Sequence, residues 1–273
     1  MPARMKTIGT AMNTESTAGL YRLLAWASPA FPTGAFSYSH ALEAAAADGA
    51  VRDRATLETW ITALVIRGSG RIDADILRDT WRAAAAGDDA GLAETNRRGL
   101  AYRATAELAL ESSQQGAAFL AAYEAVWVDP HPPTLRVGPS LSRGTGEGLN
   151  TRAAKPLSHI AGEGGEGRSP ETGQGICHAA AFGAAAARAG ISLLETLTAY
   201  LQAFAANLMS AGLRLGIIGQ TDGQRILAAL EPTVAAAVAD TMARGPEDFG
   251  AATFAADLAS MAHETQYTRL FRS

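Results

Sequence analysis

An all-α fold, built as one helical bundle domain and interrupted by a long disordered Gly/Pro-rich insertion, follows from three observations. Apolar residues recur at helical spacing nearly throughout the 273 residues. Alternating runs of the β type are absent. One stretch, 129–175, breaks both habits: its 47 residues hold ten glycines and six prolines and almost no large apolar side chain.

Residues 1–19 are polar and lack an apolar segment of the secretory kind, which predicts a flexible arm. Residues 20–128 form the first part of the helical domain. Leu20, Leu23, Leu24 and Ala27 make a stripe closed by Ser28-Pro29. The segment SPAFPTGAFSYSHALE, residues 28–43, then stiffens at Pro29 and Pro32 and turns at Thr33-Gly34, with Ser37 or Ser39 placed to cap the helix predicted over 39–47. It is either a rigid connector with Phe36 buried or a shaped surface loop presenting Tyr38 and His40. Leu57, Trp60, Ile61, Leu64 and Val65 define the next helix. Ile76, Leu77, Thr80, Trp81 and Ala84 define another, stopped by Gly87. From Asn96 to Trp127 the pattern is helical, with a break expected at Gly116.

The insertion cannot bury enough surface to offset its ordering entropy. It contains GEGGEGRS, residues 162–169, which approaches the letters of a phosphate-binding loop. No strand precedes it, Pro170 follows at once, and Glu163 and Glu166 would repel phosphate, so nucleotide binding is not expected.

Residues 176–262 form the second part. AAAFGAAAARAG, residues 179–190, reads as a tightly packed core helix or as a close subunit interface. Ser192 and Glu195 form a capping box opening the longest helix; Thr221 and Gln224 form a second. Pro232 is placed in the first turn of a further helix ended by Gly245-Pro246, and a last helix runs over 253–265. Residues 191–218 are long enough to span a bilayer, but Glu195, Gln202, Asn207 and Arg214 interrupt them, which predicts a buried helix.

Composition narrows the function. The net charge is −4 and Lys and Arg form no runs, so no nucleic-acid footprint is visible. The single Cys177 permits no internal disulfide and fits a reducing cytoplasm. No two of the five histidines share a helical face, and His263-Glu264 meets Tyr267 where a zinc motif needs its second histidine. Neither a tightly bound cofactor nor a resident metal is predicted, and no catalytic residues emerge. Cys177-His178 is read as packing, because adjacent helical side chains diverge by about 100°.

The tail, residues 263–273, reads HETQYTRLFRS and carries interface residue types: Glu264, Tyr267, Arg269, Leu270, Phe271 and Arg272. It docks either on its own bundle or on a partner.

Four blocks in order, SPAFPTGAFSYSHALE, CHAAAFGAAAA, GQTDGQRILAALEP and MAHETQYTRLFRS, resemble the urease accessory protein F (UreF) family over roughly residues 20–127 and 176–273. The insertion departs from that pattern. The resemblance implies an all-helical homodimer without enzymatic activity. It implies binding to a UreD/UreH-type accessory protein, recruitment of the GTPase UreG, and nickel delivery to apo-urease, with nickel in transit rather than stored and GTP hydrolysis open to regulation. Tyr38, His40, Glu264, Tyr267, Arg269, Leu270, Phe271 and Arg272 are then the expected partner contacts. Arg225 and Arg269 are the nominal candidates for an arginine finger. The alternatives are a helical adaptor with another client, or an all-α enzyme using His40, His178 or Glu43 in a pocket.

Overall fold

A computed structural model describes residues 14–128, 157 and 175–273, with the side chains of residues 14–16 outside the description. The first 13 residues, His131, His159, the phosphate-loop-like letters at 162–169 and all of the expected insertion except Leu157 and Gly175 lie outside the described residues.

Among the described residues there are ten α-helices and no strand: α1 Thr14–Trp26, α2 Leu42–Ala47, α3 Arg54–Arg67, α4 Ser69–Ala86, α5 Asp89–Ala101, α6 Ala106–Trp127, α7 His178–Arg188, α8 Leu193–Arg214, α9 Gln220–Ala243 and α10 Phe254–Glu264. Single 3-10 turns occupy Ala35–Ser37 and Pro246–Asp248. The all-α expectation holds. The caps are local and strong. Asp53 and Thr56 satisfy each other's backbone amides at the start of α3, Thr105 accepts from Leu108 at the start of α6, and Ser192 accepts from Glu195 on α8 as expected. Gly87 ends α4 in the left-handed region.

Helix α4 is central, packing on α3, α5, α7, α8 and α9, with α7 wedged between α4 and α6. The alanine-rich α7 is core: Ala179 to Ala186 are buried. Two glycines set its distance from its neighbours. A Cβ at Gly183 would stand 2.7 Å from the Leu77 carbonyl of α4, and one at Gly116 of α6 only 2.0 Å from the Ile176 carbonyl. Gly116 therefore does not break α6, which runs uninterrupted; it admits the backbone entering α7. The break lies earlier, between α5 and α6. Edge-on aromatic contacts from Trp26 to Phe119, Tyr123, Trp127 and Phe182 tie α1 to α6 and α7.

At the other end, the buried Arg78 donates to the Thr241 and Arg244 carbonyls at 2.7 and 3.1 Å and pairs with Asp75. A cation there satisfies carbonyls at the end of α9 and the helix dipole together. Burial raises the Asp75 carboxyl above its usual range, although Arg244 and Arg78 oppose it.

Other local expectations change too. The helix expected over 39–47 spans Leu42–Ala47, and its N-cap is Ala41 with no side-chain cap. Residues 14–19, expected in the arm, belong to α1. On that helix Leu23 is buried while Leu20 and Leu24 are exposed, because only the side bearing Leu23 and Trp26 meets the bundle. Thr221 and Gln224 form no cap; α9 starts after Gly219, which caps without a side chain. Pro232 starts no helix but lies inside α9. It sits on the exposed face, as does Ala228, whose carbonyl the proline leaves without a helical donor. Within residues 191–218 lies the packed α8, Leu193–Arg214, as expected, though among the described helices the longest is α9, at 24 residues. By length and composition α9 could cross a bilayer; it packs on α3, α4 and α8.

Candidate functional site

The conspicuous construction is a strap. Residues 265–273 leave α10 and run back across the loop before α2 and the first turns of α6. Two helices supply its anchor points. On α6, Glu107 and Glu111 are four residues apart and share a face. On α2, Glu43 is buried although its helix is otherwise alanine and leucine.

Glu43 accepts the backbone amides of Leu270 and Phe271, at 2.7 and 2.9 Å. His263 lies between Glu43 and Glu107, at 3.3 and 2.6 Å, and Arg269 pairs with the other oxygen of Glu107. Glu111 accepts from Ser273 Oγ at 2.6 Å and from Gln115 at 3.1 Å, and pairs with His40 at 3.2 Å. Burial alone would raise the Glu111 carboxyl; His40 and Ser273 outweigh it and hold it below the usual range. Arg272 donates its amide to the Ser37 carbonyl at 2.9 Å, and Ser39 donates to the Ser273 carbonyl from both its amide and its hydroxyl.

The loop is shaped to receive the strap. Gly34 is left-handed, and so are His40 and Ala41, at φ 55° and 67°. Two consecutive non-glycine residues in this region cost roughly 1–2 kcal/mol each. The contacts of His40 with Glu111 and Ser69, and of Ser39 with Ser273, hold them there. Phe36, expected to be buried if the loop is a connector, is 68% exposed; Phe31 packs against Phe119 instead. Phe36 covers one face of the Arg214 guanidinium at 3.9 Å, and Phe271 approaches the same group at 4.4 Å.

The expected contact residues thus divide. Tyr38, His40 and Phe271 are buried in this chain, and Tyr38 donates to Gln114 of α6. Glu264 caps α6 by accepting the Ala106 amide at 3.0 Å. Tyr267 is fully exposed, Leu270 is 64% exposed, Arg272 is exposed, and Arg269 is partly so. Phe254, Leu258 and Met261 add an exposed apolar line along α10 at i, i+4, i+7. Sequence reasoning missed Glu107, Glu111, His263, Ser39 and Arg214 as parts of this assembly. The only local signal was the i, i+4 pair of glutamates on α6.

A cavity of about 370 Å³ lies behind the loop, with His40, Asp73, Arg103, Glu111, His178 and Tyr200 among its lining. Its carboxylates are engaged: Asp73 pairs with Arg103 at 2.7 Å and accepts from Tyr200 at 2.9 Å, and Glu111 belongs to the strap. Burial, with Asp73 assisting, raises the Tyr200 phenol. Burial also pushes His178 down to about 4, leaving it neutral among Phe119, Phe182 and Tyr200. Cys177, pushed up to about 11 by burial, packs toward Gly99 while His178 faces the cavity. The two do not act as a pair. Glu43 lies outside this cavity's lining.

Comparison with known proteins adds the family. The UreF profile matches residues 51–231. A urease accessory protein UreF from Azorhizobium caulinodans is 42% identical over 264 residues, covering 97% of this chain and all of its own length. Proteins of the same name from Granulibacter bethesdensis and Rhodopseudomonas palustris are 42% and 40% identical, covering 95% and 98% of this chain and 97% and 96% of their own lengths.

Proposed function

This chain belongs to the UreF family of urease accessory proteins, and on that premise we propose that it is a non-enzymatic scaffold of urease maturation. It binds a UreD/UreH-type accessory protein, works as a cytoplasmic homodimer, and recruits the GTPase UreG so that GTP hydrolysis drives nickel into apo-urease. Nickel is cargo passing through the assembly. Regulation of GTP hydrolysis is part of the same proposal.

The observation that carries this reading is the two-sided strap. One side, with Phe271 and the amides of Leu270 and Phe271, is fixed to the bundle. The other turns Tyr267, Leu270 and Arg272 outward, with Phe254, Leu258 and Met261 of α10 also exposed. Aromatic, apolar and guanidinium groups on a preorganised segment suit a protein partner, because less ordering entropy is lost on binding. An enzymatic reading centred on the cavity is weaker, since its carboxylates are already paired with Arg103, Tyr200 and His40, and the one serine hydroxyl bonded to His40, that of Ser69, is not part of the cavity's lining.

The test is urease activity and nickel content in cells expressing the urease subunits and the other accessory proteins, with and without this chain. Both should fall without it. No change in either would leave a helical adaptor with another client.

A further inference from the structure

The side chain of His263 is fully buried, and both its ring nitrogens face carboxylates: Nδ1 is 2.6 Å from Glu107 and Nε2 is 3.3 Å from Glu43. A carboxylate only accepts, and a neutral imidazole donates from one nitrogen. Both contacts can be hydrogen bonds only when the Glu43–His263–Glu107 unit holds one proton beyond a neutral imidazole and two carboxylates.

The surrounding charges agree. Facing His263 are Glu43 from α2 and Glu107 from α6, with Arg269 of the strap on Glu107. Glu111, one turn further along α6, is matched by His40. On α10 itself, Glu264 is engaged at the amide of Ala106 and Asp257 lies with His40 along a separate small cavity. With the proton, two carboxylates meet an imidazolium and a guanidinium and the charges cancel. Without it, one negative charge is left uncompensated in a buried place. The carboxylate that would lose its donor on the α2 side is the one that accepts the amides of Leu270 and Phe271.

We propose that Glu43, His263 and Glu107 form a proton-operated clasp on the strap. While the extra proton is held, residues 265–273 lie fixed across α2 and α6. When it leaves, the strap loosens and the bundle beneath, whose core draws on the strap only through Phe271, stays folded. The exposure and mobility of Tyr267, Leu270 and Arg272 then follow pH. This does not depend on the identity of any partner.

The test is hydrogen–deuterium exchange on the intact chain at a series of pH values from acid to alkaline, corrected for the intrinsic rate. Protection of the amides of Leu270 and Phe271 should fall about tenfold or more as pH rises, while α4 and α7 stay constant. Glu107→Gln is the decisive variant. Its amide can donate to Nδ1, so a neutral His263 can donate to Glu43, and strap protection should be high and independent of pH. His263→Gln, which donates from one end only, should give low protection at every pH. Constant protection in the unmodified chain, or an unchanged pH dependence in Glu107→Gln, overturns the clasp.

Discussion

The backbone amide of Ser39 donates to the backbone carbonyl of Ser273 at 2.8 Å, across 234 positions of sequence. The Ser39 hydroxyl donates to the same carbonyl and accepts the Glu43 amide at 3.2 Å. Replacing Ser39 with alanine removes both hydroxyl contacts in a buried place. It should cost about 1–3 kcal/mol, read as a lower denaturation midpoint at unchanged slope.

The outward side of the strap makes a separate prediction. If the proposed UreD/UreH-type partner docks there, Tyr267→Ala, Leu270→Ala and Arg272→Ala combined should weaken that association at least about tenfold, or about 1.4 kcal/mol. Helical content and melting should stay close to those of the unmodified chain. Titration calorimetry with the purified partner measures the first and circular dichroism the second.

Gly116→Ala should be among the most disruptive small changes in the protein. The new methyl would overlap the Ile176 carbonyl, in the buried backbone that leads into α7. A loss of at least about 3 kcal/mol is expected, at the upper end of overpacking effects. Gly190→Ala, at a left-handed position with open space around it, serves as the comparison in the same urea titration and should lose less.

Arg103→Met would leave the buried Asp73 without its guanidinium. The expected cost is about 3–5 kcal/mol. Asp73→Leu/Arg103→Met should cost less than the single change, because no charge is then stranded. A double-mutant cycle in chemical denaturation measures the difference.

His178 supplies a pH prediction with a definite sign. Burial lowers its folded-state value from 6.5 to about 4, so the unfolded chain takes up the proton first. Stability is complete above the unfolded value and is lost as pH falls toward about 4, by up to about 3 kcal/mol. His178→Phe, which suits the ring cluster of Phe119, Phe182 and Tyr200, should lack this part of the acid loss. Denaturant midpoints of both proteins at several acidic pH values test it.

The helices were largely legible from sequence because their signals are local. The stripe at Leu57, Ile61, Leu64 and Val65, the Ser192 cap and the Gly87 stop each operate within one or two turns. Pro232 misled because an exposed helix face tolerates a proline that a buried one would not. The strap's position was not legible. Glu43 reads as an ordinary helix residue, and nothing within ten residues of it announces that it will accept amides 227 and 228 positions away. The tail's composition announced an interface. It could not announce that Phe271, Arg269 and Ser273 would find their contacts within the same chain.

The distance in sequence between Ser39 and Ser273 also has a consequence in time. Joining segments so far apart costs loop-closure entropy before any contact repays it. Assembling the helices between them first shortens that loop, so the strap is expected to close last, onto a bundle already built. On that order the last step of folding is the docking of the tail into a groove lined by Glu43, Glu107 and Glu111, and a stopped-flow experiment would show Phe271 burial lagging the gain of helix.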